Sequence, residues 1–255
     1  MFKRFQVGEQ IRSGAFGKIY AAVQKSDNEP VVIKEAKWKL RKESTPVEIV
    51  NNQRVADAKC SGVNKMLTSQ MSKTDRTYHI AFERRPMDLF DYLQLYKPDE
   101  ADVRDIIRRV VEIVIEMKDK TGLIHMDLKP ENILIDPTAK IIELCDIAFC
   151  AEDGDTLVHT SCIRGTIEFL APECLFSAYW PRKSVVWAIG ILAFSCLQHG
   201  EVPWDKWQEH LTVPFKDEDD DISTEARQFI MACLAPNPED RYDVDYLPFM
   251  DWLRK

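Results

Sequence analysis

The sequence has no apolar run long enough to cross a membrane as a helix, and its amino terminus lacks the apolar stretch of a secretion signal. The longest mostly apolar stretch, Val185 to Leu197, is typical of a buried core helix. The 7 cysteines are an odd number without a CxxC pair, which argues against a disulfide framework and the commoner zinc sites. We therefore expect a reducing compartment, cytoplasmic or nuclear or both, and no membrane partner.

The chain has fewer basic than acidic residues: 34 Lys and Arg and 42 Asp and Glu give a formal net charge of -8. Because such a surface repels polyanions, direct nucleic-acid binding is not expected and a basic partner fits better. The chain has no internal repeat or low-complexity linker. Its 255 residues, 45% of them hydrophobic, are typical of one packed unit or of two lobes that share a cleft.

The two parts of the chain differ in periodicity. A helix is predicted to follow the first strand-like runs, with Thr45 as its cap and Pro46 in its first turn. Further along, apolar residues recur at helical spacing. The pattern predicts an α+β fold, in which residues 1–83 form a small antiparallel sheet with one helix and residues 84–255 form a larger, mainly helical lobe. The strand-like runs are Phe5 to Ile11, Lys18 to Val23 and Val31 to Lys34, and the helical ones are Val103 to Met117, Val185 to Leu197 and Glu225 to Leu234.

The strongest chemical pattern lies in the segment from Leu123 to Ile135, which places Asp127, Lys129 and Asn132 within six positions between two apolar runs. Phosphoryl transfer requires a carboxylate that accepts a hydroxyl proton, a lysine that neutralises the migrating group and an amide oxygen for magnesium. Asp146 follows a strand-like run and adds a second carboxylate as a magnesium ligand. The order of these residues matches a phosphoryl-transfer catalytic loop.

Two weaker features are consistent with this chemistry. Gly14 and Gly17 lie between two strand-like runs, where backbone N–H groups can approach phosphate oxygens, although an isolated glycine turn is more often an ordinary hairpin. Lys34 ends an apolar run and could meet the α- and β-phosphates, with Glu48 of the next helix as its ion-pair partner. An exposed strand-end lysine and a glutamate favourable to the helix dipole are the alternatives.

With these residues in order, the chain resembles the eukaryotic protein kinases over essentially its whole length, and several segments are similar to the PIM kinases. The resemblance implies that Asp127 is the base, Lys129 steadies the γ-phosphate, and Asn132 and Asp146 bind Mg²⁺, with Mn²⁺ as a substitute. It also implies a substrate-docking segment from Gly165 to Glu173. The remaining implied sites are ATP contacts at Ile11, Gly14, Gly17, Ile19, Val32, Lys34, Glu48, Glu83 and Leu134, and a structural pair between Glu173 and Arg241.

The implied substrates are Ser/Thr-containing proteins, because Lys129 and Thr166 are similar to the serine/threonine branch of the family. PIM kinases favour arginine-rich substrates, and Asp88, Asp91 and Glu131 match their arginine contacts. Carboxylates can hold guanidinium groups by bidentate hydrogen bonds, although helix capping is the alternative for the first two. The predicted function is a serine/threonine kinase for basic proteins; the alternative is a pseudokinase scaffold that binds nucleotide or partners.

Several positions depart from the family pattern. Arg12 replaces the first glycine of the phosphate loop, so we expect its side chain to point away from ATP. Met126 replaces the arginine that, in many kinases, binds a phosphorylated activation loop. Ala148 replaces the glycine that allows the backbone to flip into an inactive state. Together these changes predict a conformation that is always active. Asn51 and Asn52 lie where an apolar residue normally packs, so we expect a second copy or an activator to contact the helix around Glu48 to Asn52. The compact, irregular chain is also similar to kinases of large DNA viruses, including baculoviruses. The further departures are Val32 in place of alanine and Ile147 in place of phenylalanine.

Overall fold

The computed structural model describes residues 3–14, 17–37, 45–72, 74–154, 157–159, 165–176, 178–204, 215 and 222–255. A five-stranded antiparallel sheet with strand order β1-β2-β3-β5-β4 forms the amino-terminal lobe. Its strands alternate between two faces, as the period of two in their sequences requires. The strands are β1 (Phe5–Gly14), β2 (Gly17–Gln24), β3 (Pro30–Lys37), β4 (Met66–Ser72) and β5 (Thr77–Glu83).

The two faces of this sheet have different partners. Val31 and Ile33 point to one face, where they join a small apolar cluster with Phe5. The residues in alternate register, including Ala36 and Ile80, point to the other face and pack against α1. Lys34 shares the register of this second face, so the alternation of β3 carries its ammonium group toward α1.

Helix α1 (Val47–Asp57) begins one residue later than predicted. Pro46 occupies the cap position, where its carbonyl accepts the N–H groups of Ile49 and Val50. The prediction of Thr45 as the cap is therefore wrong, and no side chain among the described residues caps this helix. The reason is that the extended ψ angle of Pro46, 135°, turns its own carbonyl into the first acceptor of the helix.

The carboxyl-terminal lobe is mainly helical and contains the largest apolar cluster. Asp99 caps the longest helix by accepting the N–H of Asp102, and Gly122 ends it in the left-handed conformation. In the described part of the chain, no helix is long and apolar enough to cross a membrane. The helices are α2 (Leu89–Tyr96), α3 (Glu100–Thr121), α4 (Glu173–Phe176), α5 (Pro181–Leu197), α6 (Thr224–Cys233) and α7 (Asp251–Arg254).

Short strands frame the predicted catalytic loop. The loop joins β7 to β8, and Asp146 follows β9, so the pairing of these strands brings the loop and the aspartate together. Strands β6, β8 and β9 form one sheet, while β7 pairs with β10 and β11 pairs with β12. The predicted bilobal α+β fold is confirmed. The strands are β6 (Met87–Asp88), β7 (Leu123–Ile124), β8 (Ile133–Asp136), β9 (Ile141–Leu144), β10 (Ala151–Glu152), β11 (Val158–His159) and β12 (Ala178–Tyr179).

Candidate active site

The carboxylate of Asp127 is held by two hydrogen-bonded neighbours, Asn132 and Thr166, and Lys129 in turn donates to Thr166. Asn132 donates its amide N–H to the Asp127 carbonyl oxygen at 2.8 Å and to Oδ2 at 2.9 Å. Thr166 donates to Oδ1 at 2.8 Å and accepts from Lys129 Nζ at 2.8 Å. Asp127 is buried, and hydrogen bonds to an ionised carboxylate are stronger than those between neutral groups. The catalytic loop and the docking segment therefore meet at one carboxylate.

His125 ties this loop to the end of β9. Its Nδ1 accepts the backbone N–H of Asp127 at 3.1 Å, which leaves the proton on Nε2 to be donated to the carbonyl of Cys145 at 3.0 Å. Burial lowers the pKa of His125, although the nearby carbonyl and carboxylates partly oppose the shift. The imidazole is therefore neutral, and its two bonds fix the spacing between Asp127 and the segment that leads to Asp146.

Lys34 joins the two lobes at the bottom of the cleft. Its Nζ lies 2.7 Å from Glu48 Oε1 on α1 and 2.8 Å from Asp146 Oδ1. Burial opposes the charge of Lys34, but the two carboxylates more than offset it, so its pKa is raised. Tyr78 donates its hydroxyl to Glu48 Oε2 at 2.7 Å. The predicted pair of Lys34 and Glu48 is thus present and belongs to a four-residue network.

Tyr78 was missed by the sequence reasoning. The alternation of β5 could have identified it, because Tyr78 and Ile80 point to the same face of the sheet. Ile80 pairs with Lys34 on the neighbouring strand, so Tyr78 lies on the Lys34 face. Burial and the neighbouring Glu48 raise the pKa of the Tyr78 hydroxyl, so it remains a donor. Its contact orients the carboxylate that in turn holds Lys34.

Two oxygen-bearing side chains in this cleft fit a magnesium ion. Asn132 uses its amide nitrogen for both contacts with Asp127, so its amide oxygen is the atom left for a metal. Asp146 gives one carboxylate oxygen to Lys34, 2.8 Å away. Among the described residues, no group of three His, Cys, Asp or Glu side chains could hold a metal without other ligands. A magnesium ion on Asn132 and Asp146 would thus need nucleotide phosphate oxygens and water, as Mg²⁺ does in ATP-dependent enzymes.

The predicted phosphate loop is a tight hairpin. Gly14 and Gly17 face each other at its tip, and Ala15 and Phe16 lie outside the described residues. Gly17 has a φ of 135°, and a Cβ atom there would lie 2.3 Å from the carbonyl oxygen of Glu35, so only glycine fits. A Cβ atom at Gly14 would meet no atom within 4 Å. The open space at Gly14 is compatible with the predicted phosphate contact.

The other predicted ATP contacts stay predictions, and they lie on β1, β2, β3, β5 and β8. Ile19 stands between Arg12 and Lys34 in the sheet, and Val32 shares the face of Lys34 two residues earlier on β3. Leu134 alternates with the buried Ile133 and Ile135 on β8, so it faces away from their cluster. The two remaining positions are Ile11, which is exposed on β1, and Glu83, which ends β5 and pairs with Lys65 and Arg85.

Asp88 has partners other than the predicted substrate arginine. Its Oδ1 accepts the backbone N–H of Asp91 at 2.9 Å and caps α2, and its Oδ2 accepts from Arg12 Nη2 at 2.5 Å. The side chain of Arg12 therefore crosses the mouth of the cleft to the other lobe. Both oxygens of Asp88 are engaged within the chain, so a substrate guanidinium could use this carboxylate only after the Arg12 pair opens. Asp91 is exposed, and Glu131 is half-buried.

The predicted structural pair lies beneath the docking segment. Arg241 donates to Glu173 through two nitrogens, at 2.7 and 2.9 Å, and its side chain is fully buried. It also donates to the carbonyl of Ala235 and lies over the ring of Trp187, 4.9 Å from its centroid. A bidentate, fully satisfied pair of this kind fixes the start of α4 against the core.

The buried amides of α1 do not require an external partner. Asn51 donates to the carbonyl of Ile147 at 2.8 Å, and Asn52 donates to the carbonyl of Glu48 at 2.8 Å. The reason for expecting a second copy or an activator at this helix was an unsatisfied amide, and both amide groups are satisfied within the chain. Met126 is buried, and its side chain has no charge with which to bind a phosphorylated loop.

A strand-rich lobe and a helical lobe that meet at a buried lysine, a buried aspartate and two further oxygen-bearing side chains are typical of the class of protein kinases. The protein kinase domain family model matches residues 5–253, so the chain belongs to this family. The predicted enzyme class, an ATP-dependent protein serine/threonine kinase, is confirmed.

Several curated kinases are similar to this chain. Serine/threonine-protein kinase pim-2 of Danio rerio is 29% identical over 270 residues, which cover 98% of this chain and 85% of that protein. CBL-interacting protein kinase 2 of Oryza sativa subsp. japonica is 26% identical, covering 100% of this chain and 59% of that protein. Serine/threonine-protein kinase prk-2 of Caenorhabditis elegans is 27% identical, covering 99% and 59%. The chain thus spans most of the first relative and somewhat over half of the other two.

Proposed function

We propose that this chain transfers the γ-phosphoryl group of ATP to Ser or Thr hydroxyls of basic, arginine-rich proteins. The observation that carries the proposal is the convergence of Lys34, Asp127, Lys129, Asn132 and Asp146 on one cleft between the lobes. These residue types supply the charges and the proton acceptor that phosphoryl transfer needs.

The roles of the side chains follow from their contacts. Asp127 is the buried carboxylate that accepts the proton of the attacking hydroxyl, and Asn132 and Thr166 hold it in place. Lys129, which donates to Thr166, moves its ammonium group to the migrating phosphoryl group when substrate replaces that contact. Lys34 is charged and holds the other phosphates. Asn132 and Asp146 would hold Mg²⁺, which when bound would offset the negative charge of the phosphates.

The preference for basic substrates is supported by charge. The chain carries a formal net charge of -8, and Asp91 and Glu131 present carboxylates near the cleft. Carboxylates bind guanidinium groups in a bidentate manner that lysine cannot reproduce. Asp88 becomes a third contact only when Arg12 releases it. A peptide with arginines near its Ser or Thr is therefore the expected substrate.

The test measures transfer of labelled phosphate from ATP and magnesium to a Ser-containing peptide with several arginines. The same peptide with lysines in place of the arginines is the matched control. We expect faster transfer to the arginine peptide, and a loss of the preference in the double variant Asp91→Asn, Glu131→Gln. Equal rates for the two peptides would overturn the basic-substrate part of the proposal.

Asp127→Asn provides the control for contaminating kinase activity, because it keeps the shape of the side chain and removes the base. We expect transfer to fall by at least about 100-fold, the usual contribution of a general base. Equal incorporation by both proteins would mean that this chain is not the source of the activity and would favour a scaffold that binds nucleotide.

A further inference from the structure

Asn51 makes a contact that the phosphoryl-transfer roles above leave unused. Its side chain leaves α1 and donates to the carbonyl of Ile147 at 2.8 Å, in a bond that is buried and joins residues 96 positions apart. Ile147 directly follows Asp146 and is itself buried. The amide therefore links the helix of the amino-terminal lobe to the peptide group beside a predicted metal ligand.

The backbone of Asp146 is in a conformation that needs support. Its φ of 56° and ψ of 57° lie in the left-handed region, which is unfavourable for a residue other than glycine. Ile147 then begins a short 3-10 turn that ends at Phe149. An unfavourable conformation persists only when its surroundings fix it. The Asn51 bond acts on the backbone of this turn, while Lys34 acts on the carboxylate of Asp146.

Helix α1 reaches this turn at two points on one face. Glu48 and Asn51 are three residues apart, so their side chains leave the helix in nearly the same direction. Glu48 holds Lys34, which holds the Asp146 carboxylate, and Asn51 holds the next peptide group. The helix can therefore set both the direction of the carboxylate and the path of the chain that carries it.

We propose that Asn51 is a positioning residue for magnesium, which orients Asp146 through the Ile147 carbonyl. This inference rests on the metal role of Asp146 in the proposed function. Asn52 offers an internal contrast, because it is equally buried but donates to the carbonyl of Glu48 in its own helix. An amide that merely fills buried space would behave alike at both positions.

The experiment compares Asn51→Leu with Asn52→Leu, two substitutions of the same kind on adjacent residues. The first readout is the thermal stabilisation of the whole chain by ADP, measured without metal and along a magnesium titration. We expect Asn51→Leu to leave the metal-free ADP effect unchanged and to raise the half-saturating magnesium concentration about tenfold, the scale of one buried hydrogen bond. Asn52→Leu should keep the magnesium dependence of the unmutated chain.

The second readout is kinetic. Asn51→Leu should raise the magnesium requirement of transfer and lower kcat, while KM for ATP at saturating magnesium changes little. Asn51→Gln keeps the amide donor and should recover part of the magnesium affinity. If Asn51→Leu does not fold, Asn51→Ser is measured against Asn52→Ser in the same way.

Two results would overturn the role of Asn51. One is equal magnesium dependence in the Asn51 and Asn52 variants, and the other is a loss of metal-free ADP binding together with magnesium binding. Failure of the proposed function is a separate outcome: the unmutated chain would then transfer no phosphate while its magnesium-dependent stabilisation by ADP still responded to Asn51.

Discussion

Two of the ion pairs that connect the lobes differ in depth. The inner pair, Lys34 with Asp146, spans 2.8 Å at the bottom of the cleft, with side chains 9% and 18% exposed. The outer pair, Arg12 with Asp88, spans 2.5 Å at its mouth, and the Arg12 side chain is 48% exposed. The inner pair is therefore better insulated from solvent and salt than the outer pair, in which the Asp88 side chain is 5% exposed but Arg12 is open to solvent.

This difference in depth gives the two ion pairs different roles. The inner pair uses residues that the chemistry itself requires, and removing one partner leaves a buried charge behind. The outer pair uses Arg12, which replaces a glycine in the family pattern, and an exposed pair contributes at most about 1 kcal/mol. The inner pair thus holds the site together, whereas the outer pair controls how easily Asp88 and the cleft are reached.

Breaking the inner pair should have the largest effect. Lys34→Met leaves Glu48 and Asp146 without their shared cation, which we expect to destabilise the fold by about 3 kcal/mol, near the lower end of the range for a broken buried pair. The burial that already raises the pKa of Glu48 lets this carboxylate take up a proton, which limits the loss. Urea unfolding measures the change, with the exposed Lys37 on the same strand as the control substitution Lys37→Met. A loss below about 1 kcal/mol would show that the inner pair does not hold the lobes.

A buried pair outside the cleft sharpens the comparison. Glu173→Gln removes the charge that faces the fully buried Arg241, and the remaining contacts to Ala235 and Trp187 recover part of the loss. We expect about 2 kcal/mol of destabilisation, somewhat less than for a completely broken buried pair. Stabilisation by ADP and magnesium should remain, because Glu173 does not contact the cleft network. A matching substitution at the exposed Glu168 should be nearly neutral; equal effects at both positions would contradict this assignment.

The outer pair should respond weakly and in a salt-dependent way. Arg12→Ala is expected to cost about 0.5 kcal/mol of stability at low salt and almost nothing at 0.5 M salt, as is typical of exposed pairs. Because the Asp88 carboxylate is then released, KM for the arginine peptide should fall about threefold, a change worth less than 1 kcal/mol. Arg4→Ala, at the other end of the same hairpin, is the control. An unchanged or higher KM would mean that Asp88 does not bind substrate.

The last prediction concerns the dependence of stability on pH. His125 is neutral in the folded chain because burial lowers its pKa, whereas in the unfolded chain it takes up a proton near pH 6.5. The unfolded state therefore binds more protons below that pH, and stability falls there by up to about 1.4 kcal/mol per pH unit. His125→Gln should lose less stability than the unmutated chain between pH 7 and 5.5. Parallel losses in urea unfolding would remove His125 as the cause.

Residue spacing and the family resemblance were both needed to predict the inner part of the site, because Lys34 and Asp146 are 112 positions apart. Asp127, Lys129 and Asn132 are close in sequence, and the alternation of β3 directs Lys34 toward Glu48, so local rules place most of these groups. The outer pair and the Asn51 contact join residues 76 and 96 positions apart. No local pattern encodes such a meeting, which depends on how the two lobes pack. For the same reason, the sequence did not show that the buried amides of α1 have acceptors within the chain, and it led us to expect an external partner instead.

The most direct test of the account is a single-turnover measurement on the phosphatase-treated chain at nanomolar concentration, where a weak dimer is dissociated. The cleft network is complete within one chain, so labelled phosphate should reach the arginine peptide at the rate of the untreated protein, with Asp127→Asn as the blank. Transfer that appears only after phosphorylation, or only at concentrations where the chain dimerises, would contradict the claim that its own residues assemble the site.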